Sequence, residues 1–351
     1  MQYRYLGRSG LRVSVLGLGT MTFGGVNRFA LTGNTDVAGA TRLLSQCHDA
    51  GINLIDTADV YSSGVSEEIV GAAMAGRRSQ FVLATKARFR MGDGPNDAGL
   101  SRLHLIRACE ASLKRLQTDY IDLYQLHQWD GQTPLEETME ALDTLQRSGK
   151  VRYIGCSNFS AWHIMKAMGI AERAGSARFV SQQIYYSLEA READHELLPA
   201  SVDQGLGVLV WSPLAGGLLS GKYRRGVPPA EGTRHFTDWG EPPVHDENRL
   251  YNIIEALVAI GESRGVSAAV AALAWTLQRP AMASLIIGVR TEAQLAQNLA
   301  AAEFVLTAEE RAMLDAVSAP PLPYPLWHQV NHASDRLGPA DLATLAAYIR
   351  P

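Results

Sequence analysis

Short apolar runs alternate with longer amphipathic stretches along most of the chain. The runs Val13–Gly19, Asn53–Asp56, Phe81–Lys86, Ile121–His127, Val151–Ser157, Phe179–Tyr185, Val208–Ser212 and Leu285–Gly288 are rich in Val, Ile, Leu and Tyr. Most lack strict in–out alternation, the pattern of strands covered on both faces. Between them, Val37–Ala50, Glu67–Ala75, Leu103–Leu116, Leu135–Arg147, Ala161–Ala174, Ala268–Gln278 and Glu292–Ala301 read as helices. Thr133–Pro134 predicts an N-cap with proline at the first helical position, and Gly149 a stop. Eight strands alternating with helices predict parallel pairing through right-handed crossovers. A closed (β/α)8 TIM barrel fits this length better than an open doubly wound sheet. The open sheet would carry a G-x-G-x-x-G turn, whereas Gly17-Leu-Gly19 lacks the third glycine and runs into a loop.

Three segments fall outside the repeat. Met1–Leu6 and Leu11–Val15 flank Gly7–Gly10 and predict an N-terminal β-hairpin over residues 1–15. Lys222–Glu247, rich in Pro, Gly and charge and without periodicity, predicts a long loop after the seventh strand, placed to act as a lid. A helical run, Tyr251–Gly261, follows it. Pro320, Pro321, Pro323 and Pro325 break the chain before Trp327, leaving a C-terminal extension over residues 318–351. One barrel domain spanning residues 1–351 accommodates all of these.

Composition narrows the functional classes. A chain of 351 residues with 46% hydrophobic and 19% charged residues can bury a large core. Its 32 Lys and Arg against 36 Asp and Glu leave no basic surplus, which argues against nucleic acid as a partner. No run approaches the roughly 18 apolar residues of a membrane span, and the opening MQYRYLGRSGLRVSV has no signal-like apolar core. Cys47, Cys109 and Cys156 are too scattered for a disulfide framework or zinc cluster, and the nine histidines show no paired ligand spacing. These features predict a cytoplasmic protein without a metal.

In such a barrel, active-site groups stand where strands end at the C-terminal face. Asp56, Lys86 and His127 end three consecutive predicted strands, and Tyr61 follows Asp56 in the next loop. Each alone has an ordinary reading: a turn former, a snorkelling lysine, a satisfied histidine, a rim aromatic. Lysine is scarce here, 5 of the 32 basic residues, which draws attention to Lys86. Together the four form an acid–base device. An ammonium beside a phenol lowers the phenol's pKa, and a carboxylate beside the ammonium keeps it charged in a dry site. His127 can hold a substrate oxygen or share the proton with Tyr61. A proton donor facing a developing alkoxide suits carbonyl reduction, with the hydride supplied by a cofactor.

Longer motifs carry a resemblance. Asp56-Thr-Ala-Asp-Val-Tyr61 with Gly64-Val-Ser66-Glu67-Glu68, the segment Lys114 to His127, and Gly149-Lys-Val-Arg-Tyr-Ile-Gly155-Cys-Ser157-Asn158-Phe159 resemble three signatures of the aldo-keto reductases. The likeness runs from Tyr3 to about Val317. It implies a barrel binding NADP(H) without a Rossmann fold, with Tyr61 as general acid/base supported by Asp56, Lys86 and His127. It also implies that Gly19, Thr20 and Met21 after the first strand, together with Asp56, border the cofactor. Ser157, Asn158 and Gln183 would hold the nicotinamide amide, with Gln182 the neighbour that a one-residue slip would select instead. Trp211 would stack on the nicotinamide ring. Ser212, Pro213, Leu214, Gly217 and Lys222 would cover the pyrophosphate, and Gly288, Arg290, Gln294 and Asn298 the adenosine end. Arg290 as a fork for the 2′-phosphate favours NADP(H) over NAD(H). Tyr61, His127 and Trp129 would face a small carbonyl substrate. The alternative implied by the same resemblance is an NADP(H)-binding sensor like the potassium-channel β subunits. Substrate, oligomeric state and the role of the extension are left open.

Overall fold

The computed structural model describes residues 1–228 and 243–349. β1 (Tyr3–Tyr5) and β2 (Arg12–Ser14) form an antiparallel hairpin with Tyr3 opposite Ser14. Eight further strands close a parallel barrel: β3 (Leu16–Gly19), β4 (Leu54–Asp56), β5 (Val82–Ala87), β6 (Ile121–Leu126), β7 (Val151–Ser157), β8 (Ser181–Tyr185), β9 (Gly207–Trp211) and β10 (Met282–Gly288), with β10 pairing back onto β3. This is the expected (β/α)8 TIM barrel. The run Val13–Gly19 divides where one strand was expected, its first half joining the hairpin and its second the barrel. The break is pinned by side chains: Asn53 Oδ1 accepts the Ser14 amide at 2.8 Å, and Ser14 Oγ accepts the Asn53 amide at 3.1 Å.

The hairpin closes the N-terminal end of the barrel. Leu6 and Val13 pack with the inward residues Leu54, Ala84, Leu123, Leu209, Ala283 and Ile286. Arg4 donates to the carbonyls of Leu277 and Met282, where β10 begins. With that end plugged, the C-terminal ends of the strands form the open rim.

The surrounding helices are α1 (Val37–Asp49), α2 (Val65–Ala73), α3 (Arg102–Arg115), α4 (Leu135–Arg147), α5 (Ala161–Ala174), α6 (Leu197–Gln204), α7 (Glu247–Arg264), α8 (Ala268–Leu277), α9 (Glu292–Leu299) and α10 (Ala308–Ser318). Asp36, Ser101, Asp246, Ser267, Thr291 and Thr307 cap six of them through side-chain oxygens. At α4 the expected cap moves by one residue: Pro134 is the N-cap, and the Thr133 hydroxyl donates to Asp130 instead. Asp130 also accepts the amides of Leu100 and Gln132, so it gathers the turn before the helix. The short α6 was not expected, because Pro199 sits in its first turn and only Leu198 and Ser201 are buried along it. Every residue of α8 is buried, which explains a sequence apolar on all sides.

Beyond α10, the extension forms α11 (Leu326–His332) and α12 (Pro339–Leu345), and the Tyr348 hydroxyl donates to Pro320 O. The expected lid loop, with Trp239, falls mainly on residues 229–242, outside the described residues. No single described helix is long and apolar enough to cross a membrane. The three cysteines are free and buried, and burial pushes the thiols of Cys47 and Cys109 up to about 12.

Candidate active site

Strand ends bring the four singled-out residues together. Asp56 is the last residue of β4, Lys86 the penultimate residue of β5, and His127 the first residue after β6. Tyr61 lies on the turn leading from β4 into α2. That turn is held in an unusual conformation: Ser62, Ser63 and Gly64 follow Tyr61 with φ of 50°, 55° and 98°. Left-handed backbone is uphill for serine, and local hydrogen bonds offset it. Ser62 Oγ donates to Phe23 O at 2.8 Å and accepts the Gly25 amide at 3.1 Å, while Asn27 Nδ2 donates to Ser63 Oγ at 2.8 Å. At Gly64 a Cβ would stand 2.8 Å from Arg115 Cδ, so a side chain there would displace the arginine that pairs with Glu67 at 2.7 Å.

Lys86 is completely buried. Its Nζ donates to Asp56 Oδ2 at 2.6 Å, Thr57 O at 2.9 Å and the Tyr61 hydroxyl at 3.4 Å, so each ammonium proton has an acceptor. Asp56 Oδ1 in turn accepts from Gln183 Nε2 at 2.8 Å and Gln125 Nε2 at 3.3 Å. Burial works against the Lys86 charge, but Asp56 and Tyr61 outweigh it and hold the pKa above the ordinary lysine value. The Tyr61 phenol is also displaced upward, which corrects the sequence-based expectation of a lowered pKa. Burial is the largest influence, and Asp56 adds to it, against the opposing pull of Lys86.

His127 is buried, with its ring edge-on to Tyr61 at 5.8 Å and to Phe89 at 4.8 Å between centroids. Burial first, then the positive charges of Lys86 and Arg28, hold its pKa well below the usual histidine value, so the imidazole is neutral. Among the described residues its buried Nδ1 has no hydrogen-bond partner. Phe29 packs edge-on against Tyr61 at 5.7 Å. The site therefore presents a phenol and a neutral imidazole between two phenylalanines, above a closed ion pair. Sequence reasoning missed Phe29, Phe89 and Gln125. The signal for the two aromatics was their place in loops that leave barrel strands.

The residues assigned to a cofactor line the rim with varied engagements. Among the described residues the Ser157 hydroxyl is buried without a hydrogen-bond partner. Asn158, at φ 56°, donates to His127 O at 3.1 Å and accepts Trp211 Nε1 at 3.0 Å. Trp211 stacks on Tyr185 at 4.8 Å. Gln183 enters the barrel toward Asp56, while the Gln182 side chain turns outward to Leu197 O and Ser201 Oγ on α6. Ser212 Oγ accepts the Gly216 amide at 2.8 Å in the loop that holds Pro213, Leu214 and Gly217. Gly217, at φ 103°, has no atom within 4 Å of a would-be Cβ, so the loop leaves space there. Lys222 is exposed just beyond it.

Other assignments meet protein groups. Gly19 packs so closely that a Cβ would stand 2.8 Å from Ile286 Cγ2. Thr20 is buried against Asp56 O and Ser66, and Met21 O accepts from Thr32. Gly288 has open space beside it. Gln294 Oε1 accepts the Arg290 amide at 2.8 Å, and Asn298 is buried in α9. The Arg290 guanidinium, assigned to a phosphate, donates to Thr32 O at 3.0 Å and Leu31 O at 3.1 Å. Trp129 stacks flat on His163 at 3.7 Å, beside Phe159 and Trp162.

The profile of the Aldo/keto reductase family matches residues 15–319, and the chain belongs to that family. Over 328 residues, 90% of this chain and 96% of the relative, it is 44% identical to an uncharacterized oxidoreductase, YrpG, of Bacillus subtilis (strain 168). It is 40% identical over 328 residues to a probable voltage-gated potassium channel subunit beta of Oryza sativa subsp. japonica, covering 90% and 96% of the two chains. It is 35% identical over 348 residues to the versiconal hemiacetal acetate reductase of Aspergillus parasiticus, covering 93% and 99%. An oxidoreductase acting on small carbonyl compounds is the general function these relationships support.

Proposed function

We propose that this protein is an NADP(H)-dependent carbonyl reductase in which Tyr61 gives its proton to the substrate oxygen. The observation that carries the reading is the buried Lys86 ammonium, hydrogen-bonded at once to Asp56 and to the Tyr61 hydroxyl at the open end of the barrel. The residues present suit the cofactor. The unpartnered Ser157 hydroxyl, with Asn158 and Gln183, offers donors and acceptors to the nicotinamide amide. Trp211 supplies an aromatic face, the Ser212–Gly217 loop and Lys222 cover phosphate, and Gly288, Arg290, Gln294 and Asn298 receive the adenosine end. When bound, the dinucleotide supplies the hydride.

The protein's own groups manage the proton. As the carbonyl carbon gains a hydride, its oxygen takes the Tyr61 proton, and the alcohol leaves a phenolate. Lys86 stabilises that phenolate at the moment it forms, and Asp56 keeps the ammonium charged. Neutral His127 hydrogen-bonds the oxygen without competing as an acid. Solvent restores the phenol.

The test follows NADPH absorbance over a panel of aldehydes and ketones, with NADH in parallel. The parent turns over with NADPH, and Tyr61→Phe loses about 10²–10⁴-fold in kcat while NADPH still quenches tryptophan fluorescence. A Tyr61→Phe enzyme working at the parent rate would remove Tyr61 as donor. Tight NADPH binding with negligible turnover across the panel would favour the alternative, a cofactor sensor.

A further inference from the structure

We propose that Arg28 selects carbonyl substrates bearing an anionic group, a carboxylate or phosphate, a few bonds from the reacting carbon. The inference rests on the carbonyl-reductase reading and extends it to a substrate class. Arg28 belongs to the short helical turn Asn27–Leu31 in the loop after β3. Asn27 fastens this turn to Ser63, beside Tyr61, and Arg290 fastens its far end through Leu31 O and Thr32 O. The Arg28 guanidinium lies 4.9 Å from the Phe29 ring centre and 6.0 Å from that of Phe89. Those rings are the two that touch Tyr61 and His127. The cation therefore stands one aromatic ring away from both groups proposed to hold the carbonyl oxygen.

What separates Arg28 from its neighbours is that its donors are unspent. Arg88 Nε donates to Trp129 O, and Arg90 Nη1 donates to Gly92 O and Gly94 O. Among the described residues Arg28 has neither an ion pair nor a hydrogen bond. Of the loop acids, Asp97 is engaged with the Gly94 amide and Asp130 with Leu100, Gln132 and Thr133, while Asp93 is exposed. The guanidinium's field reaches the reaction centre, where it helps keep His127 neutral. A planar cation oriented by two rings loses little rotamer freedom on forking onto a carboxylate or phosphate, and the apolar rings beneath suit the part of the substrate between its two polar ends.

The experiment compares 4-carboxybenzaldehyde with its methyl ester, which keeps the shape and removes the charge. The parent is expected to favour the acid at least tenfold in kcat/KM. Arg28→Gln should lower the acid-to-ester ratio at least tenfold, mainly through KM for the acid, and Arg28→Lys should restore part of it. A parent ratio near one, or a ratio that Arg28→Gln leaves in place, overturns the proposal. So does a rise in the KM for NADPH that matches the loss, since that would put Arg28 on the cofactor. If the parent reduces neither compound, the reductase reading is what fails. Calorimetric binding of the same two compounds to parent and Arg28→Gln then decides the anion site by itself: an Arg28-dependent preference for the acid supports it, and equal binding overturns it.

Discussion

Two regions of the molecule bury charge around a tyrosine, and they finish the job differently. Behind β8, Asp194 accepts the Tyr186 hydroxyl at 2.7 Å and pairs with Arg191 at 2.8 Å and Arg279 at 3.1 Å. Arg191 continues to Ser318 Oγ at 2.9 Å and Asp315 O at 3.0 Å, and Arg279 reaches Asp315 Oδ1 at 3.5 Å. Trp275 Nε1 donates to Asp315 Oδ1 at 3.0 Å, and both guanidiniums lie over its ring. Each guanidinium nitrogen has an oxygen partner, so the cluster bolts α8 and α10 to the barrel and leaves nothing to offer a ligand. At the rim the ion pair is equally closed, but its surroundings are not. Among the described residues, His127 Nδ1 and Ser157 Oγ have no hydrogen-bond partner, and the Tyr61 hydroxyl accepts a hydrogen bond from Lys86 without donating one. A saturated buried cluster has its hydrogen-bonding capacity spent within the fold, whereas one that leaves donors and acceptors open keeps capacity for another group.

The largest effects should separate the two. Removing one partner of a buried ion pair costs about 3–5 kcal/mol because the other charge stays behind. Asp194→Ala is expected to lose stability on that scale in guanidinium titrations, with the turnover of the folded fraction retained. Lys86→Met is expected to lower kcat at least about a hundredfold. Its stability should fall less, since Asp56 keeps the amides of Gln125 and Gln183. Parent-like turnover in Lys86→Met would erase the distinction between the clusters.

The pH response sharpens it at lower amplitude. The folded chain holds His127 below the unfolded histidine value of about 6.5. Below that pH the unfolded chain binds the proton more readily, so stability is fully present above it and declines as pH falls. His104, His163 and His195 are displaced the same way, so His127→Gln should remove part of the acid-side slope in urea midpoints measured between about pH 7 and 5. If the slope is unchanged, the imidazole is not neutral by burial. Tyr61 has the opposite window. Its raised pKa keeps the free enzyme's phenol protonated through neutrality, so kcat/KM for reduction should not lose the donor until above about pH 10.

The difference between the regions also marks what could be read beforehand. Apolar periodicity gave away the strands and most helices, and the abrupt polar residue at a strand's end exposed Asp56, Lys86 and His127, because a parallel barrel aims all its strand ends at one rim. Tyr61 depended on the motif around it. The Tyr186 cluster was invisible, since it joins Arg191 to Ser318 across 127 residues without any local pattern. The net direction of the Tyr61 shift was also hidden, for it depends on how completely the barrel excludes water. Arg290 was legible as a cation near a helix start, but its engagement with Leu31 and Thr32 joins it to the loop after β3, some 258 residues away in sequence.

The smallest expected effects lie between two adjacent glutamines. Strand alternation sends Gln183 to Asp56 inside the barrel and Gln182 to Leu197 and Ser201 on α6. Gln182→Ala should therefore cost about 1 kcal/mol of stability, the usual value of a side-chain hydrogen bond, and leave the KM for NADPH where it was. Gln183→Ala should raise that KM several-fold, since the amide it removes is one of three side-chain groups proposed to meet the nicotinamide, with Ser157 and Asn158. Purified variants compared by urea titration and by NADPH saturation would show both. Were the two phenotypes exchanged, the inward side of β8 would be wrong by one residue, and the proposed contacts of Ser157, the register partner of Gln183 on β7, would lose their support with it.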